Sequence, residues 1–145
     1  MARFTDDYLL YLLAQASHRA SAEFHARLAE RGVPVSTWRI LATLYPDQPA
    51  TIGELARACL AKQPTMTRQV ARLEAQGLVR RKMAEGDRRR VVVTLTEAGR
   101  RMAAGLASEA RSHEARLLSG LGAAEAARLK AVLRGIIAAS ADGEG

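Results

Sequence analysis

The chain has 145 residues, 48% hydrophobic and 26% charged, which suits one soluble domain with a real core. It contains no run of 18 uncharged apolar residues and no N-terminal apolar signal region, and its single cysteine, Cys59, excludes an internal disulfide or a Cys-based zinc cluster. These features predict a cytoplasmic protein without membrane association. The net charge of +7 is local: Lys62 to Arg101 holds eleven Lys/Arg and four acids, and the remainder balances. A basic block on a neutral scaffold points to a polyanion, nucleic acid first; a merely solvated basic surface is the plainer alternative.

In chain order, a long helix is predicted from about Thr5 to Arg31. Its apolar stripe is Tyr8, Leu12, Ala16, Ala20, Phe24 and Leu28, broadened by Leu9 and Leu13. Gly32 and Pro34 end it. A second helix starts near Ser36, carries Trp38, Ile40, Leu41 and Leu44, and stops before Pro46. Thr51 and Glu54 have capping-box spacing and open a third helix over about 52–58. After Cys59-Leu60-Ala61, a fourth helix runs from Lys62-Gln63-Pro64 to about Ala75, with Met66, Val70 and Leu73 inward and Gly77 as its C-cap. A hairpin follows from Leu78-Val79, with Asp87-Arg88-Arg89-Arg90 at its tip and Val91–Leu95 as the returning strand. Thr96 caps a fifth helix to about Ser119. A sixth, about Ala123 to Ala139, carries Leu129, Val132, Leu133, Ile136 and Ile137. The tail from Ser140 to Gly145 is expected to fray.

Short helix, tight turn, second helix and charged hairpin make a winged helix-turn-helix. In such a unit the second helix of the pair enters the major groove with its first side chains at base edges. Those side chains are Gln63, Thr65, Thr67 and Arg68, all hydrogen-bonding types; Arg72, one turn on, suits a phosphate. Lys62 stands where a capping Ser, Thr or Asp is usual. It cannot accept a hydrogen bond and opposes the helix dipole, which marks it as a DNA contact. The expected fold is therefore mainly α with a small β-hairpin wing, a single domain over 1–145. Its DNA-binding lobe is about 36–96. The terminal helices, 5–31 and 97–139, form a helical layer whose apolar stripes suggest a homodimer interface, against the alternative of a packed monomer.

Two stretches, "TIGELARACLAKQPTMTRQVARLEAQGLVRRK" and "GDRRRVVVTLTEAG", resemble the MarR family of bacterial transcription regulators, and the resemblance covers nearly the whole chain. The second has the family's wing spacing in Asp87, Arg89, Val93, Leu95 and Thr96. The resemblance implies obligate dimers, double-stranded DNA as partner, and a small effector that releases it. It places Arg89 in the minor groove with Asp87 orienting it, as the negative potential of a narrow minor groove also favours. Arg88 and Arg90 are then expected on phosphates. The family's effector pocket, often for aromatic acids, lies between the dimer helices and the DNA-binding lobe; Tyr8, Tyr11, His18, Trp38 and Arg39 are candidates to line it. The turn that usually carries glycine is here Cys59-Leu60-Ala61.

Other chemistries find little support. Cys59 reads as a buried structural thiol, since Leu10 to His18, where peroxide sensors of the family carry their cysteine, has none. His18 and His25 lie about 10 Å apart along one helix, too far to share a metal, and His113 is on another helix. No phosphate loop, activated nucleophile or metal dyad suggests an enzyme, and no cofactor is implied. The expected function is a ligand-responsive repressor binding an inverted-repeat operator as a homodimer. The rival readings are a winged helix used for protein or RNA contact and a non-specific architectural DNA binder.

Overall fold

A computed structural model of the chain describes residues 1–141, the Arg88 side chain excepted. A 3-10 turn, Phe4–Asp6, precedes α1 (Leu9–Glu30) and α2 (Val35–Leu44). Then come β1 (Ala50–Thr51), α3 (Ile52–Ala58), α4 (Gln63–Ala75), β2 (Val79–Ala84), β3 (Asp87–Leu95), α5 (Glu97–Leu117) and α6 (Ala123–Ala141). Two compact units result, Met1–Ala110 and Arg111–Gly145.

The first unit is built around one core. Phe24 and Leu28 of α1, Ile40, Leu41 and Leu44 of α2, Leu55 of α3, Met66, Val70 and Leu73 of α4, Val79, Val93 and Leu95 of the sheet, and Leu106 of α5 are all buried. The periodic stripes predicted for α2 and α4 are the faces that reach it. The α1 stripe behaves differently. Only its C-terminal end is buried, while Tyr8, Leu9, Leu10, Tyr11 and Leu12 are exposed. The helix also starts later than expected: Tyr8 is extended, its ring stacked on Phe4 at 5.0 Å.

The capping box forms in both directions. Thr51 Oγ1 accepts from the Glu54 N–H at 3.1 Å, and Glu54 Oε2 accepts from the Thr51 N–H at 3.0 Å. At the other end of α3, Leu60 has φ +57°. A leucine there costs roughly 1–2 kcal/mol that glycine would not incur.

The sheet has three strands, not the two of a simple hairpin. β3 is central and antiparallel to both β1 and β2, with Thr51 opposite Val92 and Arg81 opposite Val93. Two residues are too few to show alternation in a sequence, which is why β1 escaped prediction. The turn at the wing tip is Glu85-Gly86, with Gly86 at φ +80°. The arginines are therefore not at the tip. Ala84 pairs with Asp87 and the adjacent Met83 with Val91, so Arg88, Arg89 and Arg90 form a three-residue bulge on β3. A bulge re-aims side chains that a regular ladder would alternate between faces.

Glu74 fastens the wing to α4. Its carboxylate accepts from the Arg81 backbone N–H at 2.9 Å and from the guanidinium at 2.8 and 3.1 Å. These bonds hold the Glu74 carboxyl below its ordinary value of 4.5, the side-chain bond from Arg81 having the largest effect.

The start of α5 is locked to the end of α4. Thr96 donates its hydroxyl to the Gly77 carbonyl at 2.6 Å and its N–H to the Leu78 carbonyl at 3.1 Å, and its Oγ1 caps the Gly99 N–H at 3.0 Å. A Cβ on Gly99 would lie 1.9 Å from the Leu78 carbonyl oxygen.

In the second unit, Glu114 on α5 pairs with Lys130 on α6 at 2.9 Å. No residue of α6 is buried; Leu129, Val132 and Ile137 are exposed, while Leu133 and Ile136 are half-buried. Of the tail expected to fray, Ser140 and Ala141 are helical, Ser140 returning its hydroxyl to the Ile136 carbonyl at 2.8 Å. Residues 142–145 lie outside the described residues.

Two predictions follow from the locks of the first unit. Gly99→Ala forces a backbone shift and should cost about 3 kcal/mol in urea unfolding. Gly105→Ala, in the same helix with nothing within 4 Å of the new methyl, should gain roughly 0.5–1 kcal/mol. Equal effects would remove the close-approach account. The Glu74 carboxyl has a lowered folded-state pKa, so its contribution is present above pH 4.5 and fades as the pH falls through the folded value. Hydrogen-exchange protection of the Arg81 amide, normalised to intrinsic rates, should be high at pH 7, fall away as the pH drops through the lowered folded-state value of Glu74, and be absent at pH 7 in Glu74→Ala.

Candidate nucleic-acid interface

α4 buries one face and bares the other. Met66, Val70 and Leu73 anchor it, and this fixes the outward direction of Gln63, Thr67, Arg68 and Arg72, all exposed, with Thr65 half-buried beside them. Thr65, Arg68, Gln69 and Arg72 line a shallow surface groove on this face. The Arg68 guanidinium donates to Thr65 Oγ1 at 3.4 Å, a contact too long to hold it firmly. Thr67 donates its hydroxyl to the Gln63 carbonyl at 3.0 Å, so toward a partner it serves as an acceptor. The Arg72 guanidinium makes no ion pair or hydrogen bond among the described residues. Lys62 is the N-cap of α4 and supplies no side-chain cap bond, as its chemistry requires.

The wing needs one correction. Asp87 does not orient the Arg89 guanidinium; its Oδ1 accepts from the Arg89 backbone N–H at 2.9 Å. The aspartate thus shapes the bulge, and the Arg89 side chain is left exposed with no partner among the described residues. Arg90, expected on a phosphate, reaches Glu54 Oε1 at 3.4 Å. Glu54 therefore serves α3 and β3 together, one oxygen in the capping box and the other toward the wing. The Arg88 side chain lies outside the described residues.

Sequence reasoning missed Glu54's second role, Glu74 and Arg81. The capping-box spacing marked Glu54 as a cap only. The Glu74–Arg81 pair joins different elements, so no helical or strand periodicity signals it.

The residues suggested for an effector pocket are spread out. Tyr8, Tyr11 and His18 are exposed at α1, Arg39 is exposed on α2, and Trp38 packs edge-on against Phe24 at 5.3 Å. None of the five lines the cleft of about 170 Å³ formed by Gly32, Val33, Pro34, Thr37, Arg72, Gln76, Leu78 and Met102. Cys59 is buried with its sulfur 3.8 Å from Thr43 Oγ1. Burial raises its thiol pKa, against the lowering effects of Thr43 and the Arg39 charge, which suits a structural thiol. Among the described residues, no group of three His, Cys, Asp or Glu could hold a metal, and no helix is long and apolar enough to cross a membrane.

Residues 31–90, which hold α2 to α4 and most of the wing, match the model of the MarR family. Over 95% of its length the chain superposes on 98% of a MarR family transcriptional regulator from Silicibacter pomeroyi, with 43% identity and a TM-score of 0.84. It is 30% identical over 127 residues to the HTH-type transcriptional repressor NicR of Pseudomonas putida, covering 88% of this chain and 80% of that one. The S. aureus MepR–DNA complex is similar over 91% of this chain and 97% of that one, at 25% identity and a TM-score of 0.74. Against the organic hydroperoxide resistance transcriptional regulator of Bacillus subtilis the match is partial, spanning 64% of that protein at 27% identity. With an anchored, hydrogen-bonding α4, a bulged arginine wing and these relatives, the chain belongs to the MarR family of winged-helix, DNA-binding transcriptional regulators.

Proposed function

We propose that the chain is a homodimeric repressor that reads an inverted repeat in duplex DNA. Its two α4 helices enter successive major grooves and its two wings the flanking minor grooves. The observation that carries this reading is the division of labour on one lobe. Gln63, Thr65, Thr67 and Arg68 stand at the exposed start of α4, while Lys62, Arg72 and Arg89 are cations with no partner among the described residues. Side chains that hydrogen-bond base edges specify sequence, and unpaired cations on phosphates or in a narrow minor groove supply affinity. Arg88 and Arg90 add charge beside the groove, Arg90 by exchanging Glu54 for a phosphate. The MepR complex, a relative solved on DNA, supports the reading.

The functional unit is the whole chain, with a DNA-binding lobe of about 36–96. Dimerisation falls to helices 5–31 and 97–139, supported by apolar side chains left bare in the single chain: Leu9, Leu10 and Leu12 at α1, and Leu129, Val132 and Ile137 at α6. The protein acts in the cytoplasm by binding alone, without catalysis. A small effector, an aromatic acid by family resemblance, releases DNA by favouring the dimer spacing that cannot span two half-sites. Tyr8, Tyr11, His18, Trp38 and Arg39 are its proposed contacts, and they require the partner protomer to close around it.

Selection from a random duplex pool at near-physiological salt should enrich an inverted repeat with half-sites about one helical turn apart. Enrichment without a shared motif would replace this reading with a non-specific binder. On the selected site, Arg89→Ala should weaken binding on the order of 10-fold or more while thermal stability holds, because a bulge residue has no core contact. Arg72→Ala should leave the selected motif unchanged and make the log–log salt slope shallower by about 0.9. An unchanged slope would take Arg72 off the phosphate backbone.

A further inference from the structure

Leu60 is unexplained by the fold. It adopts φ +57°, a conformation that glycine takes freely and a side chain resists. Its side chain is also 85% exposed, the most exposed large apolar group in the first unit after the N-terminal methionine. Its neighbours turn inward: Cys59 is buried and Ala61 half-buried against the core. Neither strain nor exposure benefits the isolated chain. The position points to a partner. Leu60 lies two residues before Lys62, the N-cap of α4, so its Cα is within about 7.6 Å of the Lys62 Cα. That is the end of α4 where Gln63 and Thr65 stand. An aliphatic group among cations and hydrogen-bonding side chains suits one feature of the major groove above others, the 5-methyl group of thymine.

We propose that Leu60 is a specificity-determining contact that packs against the 5-methyl group of a thymine in the half-site. The proposal rests on the reading of α4 as the helix that enters the major groove. The left-handed turn serves it by directing the side chain outward, away from the core that takes Cys59 and Ala61. Glycine in its place would relax the backbone and remove the contact.

The test uses the full-length protein and the selected duplex, with each thymine of a half-site replaced in turn by deoxyuridine, which lacks only the methyl. Wild type should lose about 4-fold in affinity at one thymine, the effect of one buried methyl-sized group. Leu60→Gly and Leu60→Asn, both suited to the left-handed turn, should bind thymine and deoxyuridine equally at that position. Both should melt at or above the wild-type temperature, which separates a lost contact from a damaged fold. If no thymine is methyl-sensitive in wild type, or the same sensitivity persists in both variants, the Leu60 contact is wrong and recognition through α4 stands. If wild type selects no duplex at all, the recognition reading falls, and this contact with it.

Discussion

The DNA-binding lobe depends on the place where α4 ends and α5 begins. Gly77 takes a left-handed conformation that lets the chain leave α4 and enter β2 across only three residues. The carbonyls exposed by that turn, of Gly77 and Leu78, are then satisfied by Thr96, and Gly99 lets α5 approach the same carbonyls without a side chain between. One polar knot therefore closes the helix, starts the sheet and seats the long helix. Its mechanical consequence is that the end of α4 and the first turn of α5 cannot move independently. A signal that displaces the start of α5 also displaces the helix that carries Gln63 to Arg72. Under the proposed function, the size of that shift is bounded by how much better a ligand binds one arrangement than the other.

The wing is held by a different device. Glu54 reaches it from α3 and Glu74 from α4, and each carboxylate also accepts a backbone N–H, from Thr51 and from Arg81. Exposed ion pairs alone contribute little, because solvent screens them and long side chains lose rotamer freedom. Fixing one carboxylate oxygen on the backbone lowers that entropic cost before the arginine arrives. Arg81 on the regular ladder and Arg90 at the end of the bulge are thereby held, while Asp87 shapes the bulge through the backbone and leaves the Arg89 side chain exposed with no partner among the described residues. An unpaired arginine beside held neighbours suits the negative potential of a narrow minor groove.

Local and periodic features were legible in the sequence; features made by distant residues were not. The Thr51–Glu54 capping box, the Gly32 and Gly77 helix ends, the Thr96 cap and the buried face of α4 all follow from spacings of three or four residues and were anticipated. The third strand was missed because its two residues acquire meaning only opposite Val92 and Val93. The wing was located but its detail was misjudged. An Asp two residues before an Arg reads equally well as a side-chain pair or a backbone cap, and only the bulge register decides for the cap. The α1 stripe was read correctly as apolar, yet only Phe24 and Leu28 of it are buried, and Tyr8, Leu9, Leu12 and Ala16 are exposed. The residues suggested for an effector pocket follow from the family resemblance, and none of them lines the cleft of the single chain.

The distribution of charge ties these pieces to the proposed function. Lys62 sits at the positive end of the α4 dipole with no acceptor to cap the first turn, an arrangement unfavourable in the free chain by the ordinary rules for helix starts. Arg72 and Arg89 likewise lack a counter-charge among the described residues. Other arginines are paired, Arg81 with Glu74, Arg90 with Glu54, and Arg100 of α5 with Asp47 and Glu97, while Arg57, Arg80 and Lys82 have no ion pair among the described residues. Lys62 and Arg72 of α4 and Arg89 of the β3 bulge are the unpaired cations on the elements that the proposed function brings to a duplex. Under the proposed function, a duplex supplies the counter-charge these three side chains lack among the described residues. The affinity gained from those phosphate contacts must then weaken as salt rises.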